Sequence, residues 1–164
     1  MVLEGLEILS LNRPPAAKPA RVLPRLEEFP GRSADIIRFG DLDPQGHVNN
    51  TVFATFFETG RVTLLREPGH ALSAPGTTSV LAQLDISFLR ELHWPGAVEI
   101  GTGIAAIGRS SFTFRQAIFH EGECAATANA IMVMIDAATR RARPLPQEIV
   151  ARLEGLKMRM ANGE

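Results

Sequence analysis

Residues 38–61, RFGDLDPQGHVNNTVFATFFETGR, decide the fold. Their first half, GDLDPQG, is built of turn formers: Asp, Pro and Gly each favour a bend for a separate steric or hydrogen-bonding reason. Asn49 and Asn50 then stand where a helix N-cap belongs, because an Asn side chain accepts an orphan backbone N–H. A helix is expected from about Thr51 to Arg66, ending before Pro68, whose ring disfavours helical geometry in the residue before it. Val52, Phe53, Phe56, Phe57, Gly60 and Leu64 cover more than one narrow stripe, so this helix is expected to be buried on most sides. Gly60 weakens a helix, and close packing against another backbone would explain its presence.

Outward from this stretch the chain reads as strands. SADIIRF, before the turn, is a short strand. After the helix, Val80, Ala82, Leu84, Ile86 and Phe88 alternate with mostly polar neighbours, the period of a strand with one buried face. Val98, Ile100, Thr102 and Ile104 repeat the pattern beyond the Pro95-Gly96 turn. Phe112, Phe114, Gln116 and Ile118 resume it after the break at Gly108–Ser110. CAATANAIMVMID follows Glu121-Gly122, with Ala126, Ala128 and Ala130 small on one face, as if a helix pressed upon them. A last helix is expected from Pro146 to Met160. Strand, helix and four strands on short turns suggest an α+β domain, an antiparallel sheet curled around one helix.

The ends and the bulk properties set the limits. Residues 1–32 form a Pro-rich N-terminal arm: Pro14, Pro15, Pro19, Pro24 and Pro30 exclude a long helix or a central strand. Leu3, Leu6, Ile8 and Leu9 are candidates to anchor its beginning. Residues 33–164, including the last helix, form one domain, without internal repeats. A chain of 164 residues, 45% hydrophobic and 21% charged, has the make-up of an ordinary globular domain. Its 17 Lys and Arg nearly balance its 18 Asp and Glu, so bulk charge points to neither a nucleic-acid nor a membrane partner. Cys124 stands alone, and no CxxC or Cys/His cluster in the sequence offers a metal site. Glu4 and Glu7 occupy the region where a signal peptide carries positive charge. A cytoplasmic setting is expected.

The run Asp41, Asp43, Gly46, His47, Val48, Asn49, Asn50 matches without gaps the signature Asp-x-Asp-x-x-Gly-His-Val-Asn-Asn. This resembles the 4-hydroxybenzoyl-CoA thioesterase family and related acyl-CoA thioesterases, and the likeness extends more weakly through FLRELHWPG and IGRSSF. Phe53 follows where the family often has tyrosine, and Glu58 and Arg61 match its helix. The resemblance implies the hotdog fold, a curved sheet of about five strands wrapped around a long helix. It implies hydrolysis of an acyl-CoA to free acid and CoA, with no cofactor beyond the CoA carried by the substrate. It makes Asp43 the catalytic carboxylate and the backbone N–H of Asn50 the donor to the carbonyl oxygen. It further implies a homodimer or homotetramer whose active sites draw on two chains.

The chemistry is consistent with those residue types. Thioester hydrolysis needs a carboxylate to activate water or attack the carbonyl, and donors for the oxygen that becomes negative. A helix N-terminus supplies such donors, with partial positive charge. His47 is a candidate to orient the thioester or Asp43; its alternative is packing within the loop. Asp41 reads as structural, bonded to loop backbone. Glu58 lies roughly 12–13 Å beyond the cap at 1.5 Å per residue, so an ion pair with Arg61 is expected instead of catalysis. For the CoA phosphates Arg109 is the first candidate, with Ser110 beside it in a Gly-Arg-Ser-Ser turn, and Arg90 the second; Arg140, Arg141 and Arg143 read as a solvated turn, with contact to phosphate as the alternative. Two rivals stand beside hydrolysis. An enoyl-CoA hydratase of the same fold uses Asp-x-Asn-Pro-x-His, but here Asp43 replaces the Asn and Gly46 adds a residue before His47. A non-catalytic acyl-CoA binding module is disfavoured by the intact Asp43.

Overall fold

The computed structural model describes residues 22–159. Five antiparallel strands form one curved sheet: β1 Gly31–Ile37, β2 Thr77–Phe88, β3 Gly96–Ile107, β4 Ser111–His120 and β5 Glu123–Asp136. Their order across the sheet is β1-β3-β4-β5-β2, which leaves β1 and β2 at the edges. Helix α1, Asn50–Arg66, packs on the sheet between β1 and β2 in the chain, and a short helix α2, Gln147–Gly155, closes the far end. This is the hotdog architecture.

The alternation read in the sequence fixes the central strands. Val98, Ile100, Thr102 and Ile104 of β3 and Phe112, Phe114, Gln116 and Ile118 of β4 are all at most 1% exposed. Ala126, Ala128 and Ala130 of β5 are buried as well, the first two in one cluster with Phe53, Phe56 and Phe57 of α1. Small side chains there let the sheet approach the three phenylalanines, each worth about 1.5–3 kcal/mol when withdrawn from water. Edge strand β2 is looser: its pairing with β5 shifts between Leu81 and Gln83, and Ala82 and Phe88 of its expected inner face are exposed.

Helix α1 starts one residue before the expected position, with Asn49 as its cap: the Asn49 Oδ1 accepts from the Thr51 N–H at 3.0 Å. The expectation that it is buried on most sides needs correction. Phe53, Phe56, Phe57, Gly60, Arg61 and Leu64 form one buried stripe at helical spacing, while Thr51, Thr55, Glu58 and Val62 are exposed in the single chain. Gly60 is required by side chains more than by backbone. A Cβ there would stand 2.7 Å from both Ile100 Cγ2 and Thr102 Oγ1. Helix α2 is shorter than expected, because the chain turns at Leu156 to set Lys157 beside Ile104 of β3.

The opposite face of the sheet is sealed by the chain before β1. Phe29 is 1% exposed and covers Gly101, where any Cβ would lie within 2.4 Å of its ring; Pro30 covers Gly103 in the same way. Leu26, at the start of a short 3₁₀ turn, packs against this cluster with Met158. The anchors Leu3, Leu6, Ile8 and Leu9 lie outside the described residues, as does Met160.

Candidate active site

The loop from Arg38 to Asn49 is shaped by its two aspartates. Asp41 Oδ2 accepts from the Arg38 N–H at 2.7 Å, and Asp41 O accepts from the Asn49 N–H at 2.9 Å. It is a structural residue that fixes where α1 begins. Asp43 Oδ1 accepts from the N–H groups of Gln45 and His47, at 2.8 and 3.1 Å. The Asp43-Pro44-Gln45-Gly46 turn closes through Gly46 N–H to Asp43 O at 3.0 Å, and Gly46 takes φ +83°, a conformation that suits glycine. Val48 then donates to Leu92 O at 2.8 Å, which ties this loop to the segment after β2.

Two polar groups are left over. Asp43 Oδ2 has no hydrogen-bond partner among the described residues, and neither has the Asn50 N–H, first of the free donors at the start of α1. Both residues line one cleft of about 390 Å³. Its other walls come from His47, Phe53, Phe88 and the segment Leu89–Glu91. Phe53 and Phe88 meet edge to face with ring centroids 5.1 Å apart, an apolar wall beside the polar one. An acceptor, a donor and an apolar surface thus line the same cleft.

His47 holds Asp43 through its backbone, while its imidazole turns to the rim, 3.4 Å from Glu91 Oε2. His93 stands across from it, ring centroids 5.0 Å apart and planes at 84°. Arg90 also lines the cleft and is ion-paired with Glu123. Glu91 and Phe88 carry no signal in the sequence that places them at the cleft: Phe88 reads as one position of an alternating strand, and Glu91 as part of FLRELHWPG.

Arg109 and Ser110 lie elsewhere. They form the β3–β4 turn, whereas the cleft adjoins the end of the sheet where Phe88 pairs with Ala126. The ten residues of β4 separate the two ends by roughly 30 Å at about 3.3 Å per residue. Arg143 lies at that same far end, paired with Asp136 at 3.6 Å, and its backbone N–H donates to Met134 O. There Asp136 is held below the usual carboxylate range by hydrogen bonds from Thr139, with Ala138 and Arg143 adding to them.

The expected Glu58–Arg61 ion pair is not formed. Arg61 is 7% exposed and donates from Nη1 to Gln116 Oε1 at 2.8 Å. Gln116 in turn donates from Nε2 to Phe57 O at 2.8 Å and to Thr102 Oγ1 at 3.0 Å. Burial lowers the pKa of Arg61, and exposed Glu58 opposes that only as a nearby charge. A buried guanidinium needs hydrogen bonds, and β4 supplies them better than a solvated carboxylate.

Comparison with known proteins agrees with the fold. Residues 37–153 match the family model described as the thioesterase-like superfamily. A Thermus thermophilus thioesterase, solved in complex with coenzyme A and Zn, is 31% identical over 80% of this chain and 96% of its own, TM-score 0.69. A Pseudomonas aeruginosa protein is 26% identical over 82% and 96%, TM-score 0.72. A 1,4-dihydroxy-2-naphthoyl-CoA thioesterase from Synechocystis, 19% identical with TM-score 0.69, shares the fold. No curated protein matches the chain in sequence. With residues 37–153 inside the family model and a 31% identical thioesterase covering 80% of its length, the chain belongs to the thioesterase-like superfamily, whose activity class is thioester hydrolysis.

Proposed function

We propose that the chain hydrolyses an acyl-CoA thioester, with Asp43 as its catalytic carboxylate. The observation that carries this reading is the pairing of an unpartnered carboxylate oxygen with an unpartnered helix N–H in one cleft. Attack on the carbonyl carbon, by water activated at Asp43 Oδ2 or by that oxygen itself, puts negative charge on the carbonyl oxygen. The Asn50 N–H donates to that charge, a contact typically worth about 3–4 kcal/mol in a dry site. With water as nucleophile, Asp43 takes its proton, the C–S bond breaks and CoA leaves as a thiolate that receives that proton. With Asp43 as nucleophile, the C–S bond breaks to leave an acyl–Asp43 anhydride, which a water then cleaves to the free acid and the carboxylate, its protons passing to the products. His47 keeps the carboxylate aimed through its backbone N–H, and its ring borders the thioester.

Coenzyme A as the thiol is supported by the Thermus relative, solved with coenzyme A bound. Arg90, on the cleft wall, would exchange Glu123 for a phosphate. Arg109 and Ser110 would reach a cleft only from a second copy of the chain. A homodimer or homotetramer is supported by the uncovered edge strand β2, with Leu81 45% and Phe88 47% exposed, since open edges invite pairing. Among the described residues no helix is long and apolar enough to cross a membrane, and we place the protein in the cytoplasm on the sequence expectation alone. The test is thiol release from a panel of aryl, short-chain and long-chain acyl-CoAs. Turnover of at least one member is expected; consumption of an enoyl-CoA without thiol release would replace hydrolysis with hydration.

A further inference from the structure

We propose that His47, Glu91 and His93 form a binding site for one divalent transition cation of the zinc class at the rim of the cleft. The two imidazole nitrogens and the carboxylate oxygen lie within 4.8 Å of one another. Glu91 Oε2 is the common point, 3.4 Å from His47 Nε2 and 3.9 Å from His93 Nε2. Zinc bonds of about 2.0–2.2 Å at tetrahedral angles put ligand atoms about 3.4 Å apart. The first separation already has that value, and a small turn of the exposed His93 ring closes the second. Among the described residues Glu91 is the polar partner of both Nε2 atoms, and neither has another.

The backbone sets up the trio. Val48 N–H donates to Leu92 O at 2.8 Å, and both side chains are buried, at 3% and 1% exposure. This bond sits between the ligands: His47 precedes Val48, while Glu91 and His93 flank Leu92. The anchored Leu92 therefore leaves its two neighbours at the surface facing His47, whose own backbone is bonded twice to Asp43. Loops held in this way lose little freedom when an ion arrives. Two imidazoles and one carboxylate suit zinc, nickel or copper; calcium and magnesium prefer oxygen alone. Three protein ligands leave one position open, as in zinc sites that admit a water or a thiol.

The test is calorimetric titration of Zn²⁺, then Ca²⁺, into the purified parent, His93→Ala and Glu91→Gln, with melting temperatures taken without metal. His93 is exposed and outside the cleft lining, so its loss should leave the fold intact. The parent is expected to bind one zinc per chain and no calcium. Each substitution should weaken zinc by roughly tenfold or more, since even supporting residues of metal sites contribute that much. Equal zinc affinity in parent and His93→Ala, or no zinc binding by the parent, would overturn the site. Because binding is measured without substrate, these outcomes are independent of whether the chain hydrolyses thioesters.

Discussion

Helix α1 carries two polar places that obey opposite rules. At its N-terminus Asp43 Oδ2 and the Asn50 N–H stand in an open cleft without partners among the described residues. Three turns on, Arg61, Gln116, Thr102 and Phe57 O satisfy one another out of solvent. Unpaired groups at a surface cost little and remain available to a substrate. Unpaired groups in a core cost heavily, so there the polar atoms close on each other. The start of the helix thus leaves polar groups open, and its third turn ties it to the sheet.

That contrast can be broken most sharply at Asp43. Asp43→Asn keeps the Oδ1 hydrogen bonds but loses the anion, and kcat should fall by about 10²–10⁴, with a larger loss if the carboxylate is the nucleophile. In the core, Gln116→Leu leaves Arg61 buried without its acceptor. A loss of about 3 kcal/mol is expected, or roughly 6–12 °C in Tm, measurable by thermal denaturation. Gly60→Ala forces a Cβ against Ile100 and Thr102. Overpacking of about 1–3 kcal/mol should outweigh the gain in helix propensity, lowering the denaturation midpoint. Smaller still, Arg90→Ala should raise KM for acyl-CoA several-fold at unchanged kcat, as expected for a contact made equally before and during reaction. Arg109→Ala has the same effect only if a second copy brings that turn to the cleft. A KM change there together with a dimeric mass would join the two observations.

Much of this was legible from residue order, and the exceptions have physical causes. Alternation in β3 and β4, the Asn cap and the Asp-Pro-Gln-Gly turn are local signals, and local geometry followed them. The partner of Arg61 was not legible, because it lies 55 residues away on β4 and only the register of β3 with β4 brings Thr102 and Gln116 together. Proximity of Glu58 in sequence suggested an ion pair that desolvation disfavours. The distance of Arg109 from the cleft follows from counting turns in an antiparallel meander, a step that its glycine-serine setting obscured. Glu91 and His93 acquire meaning only once the Val48–Leu92 hydrogen bond brings them to His47. Asp43 was legible as a turn former from its neighbours, a role its hydrogen bonds bear out, while its proposed catalytic role rests on the whole signature.

Purified Asp43→Asn and Gln116→Leu, each assayed against the parent for both CoA-thiol release and Tm, test the central division directly. Asp43→Asn should lose turnover at nearly parental Tm, and Gln116→Leu should lose Tm while keeping most of its turnover at temperatures where it is folded. A folded Asp43→Asn with near-parental thiol release would contradict the account.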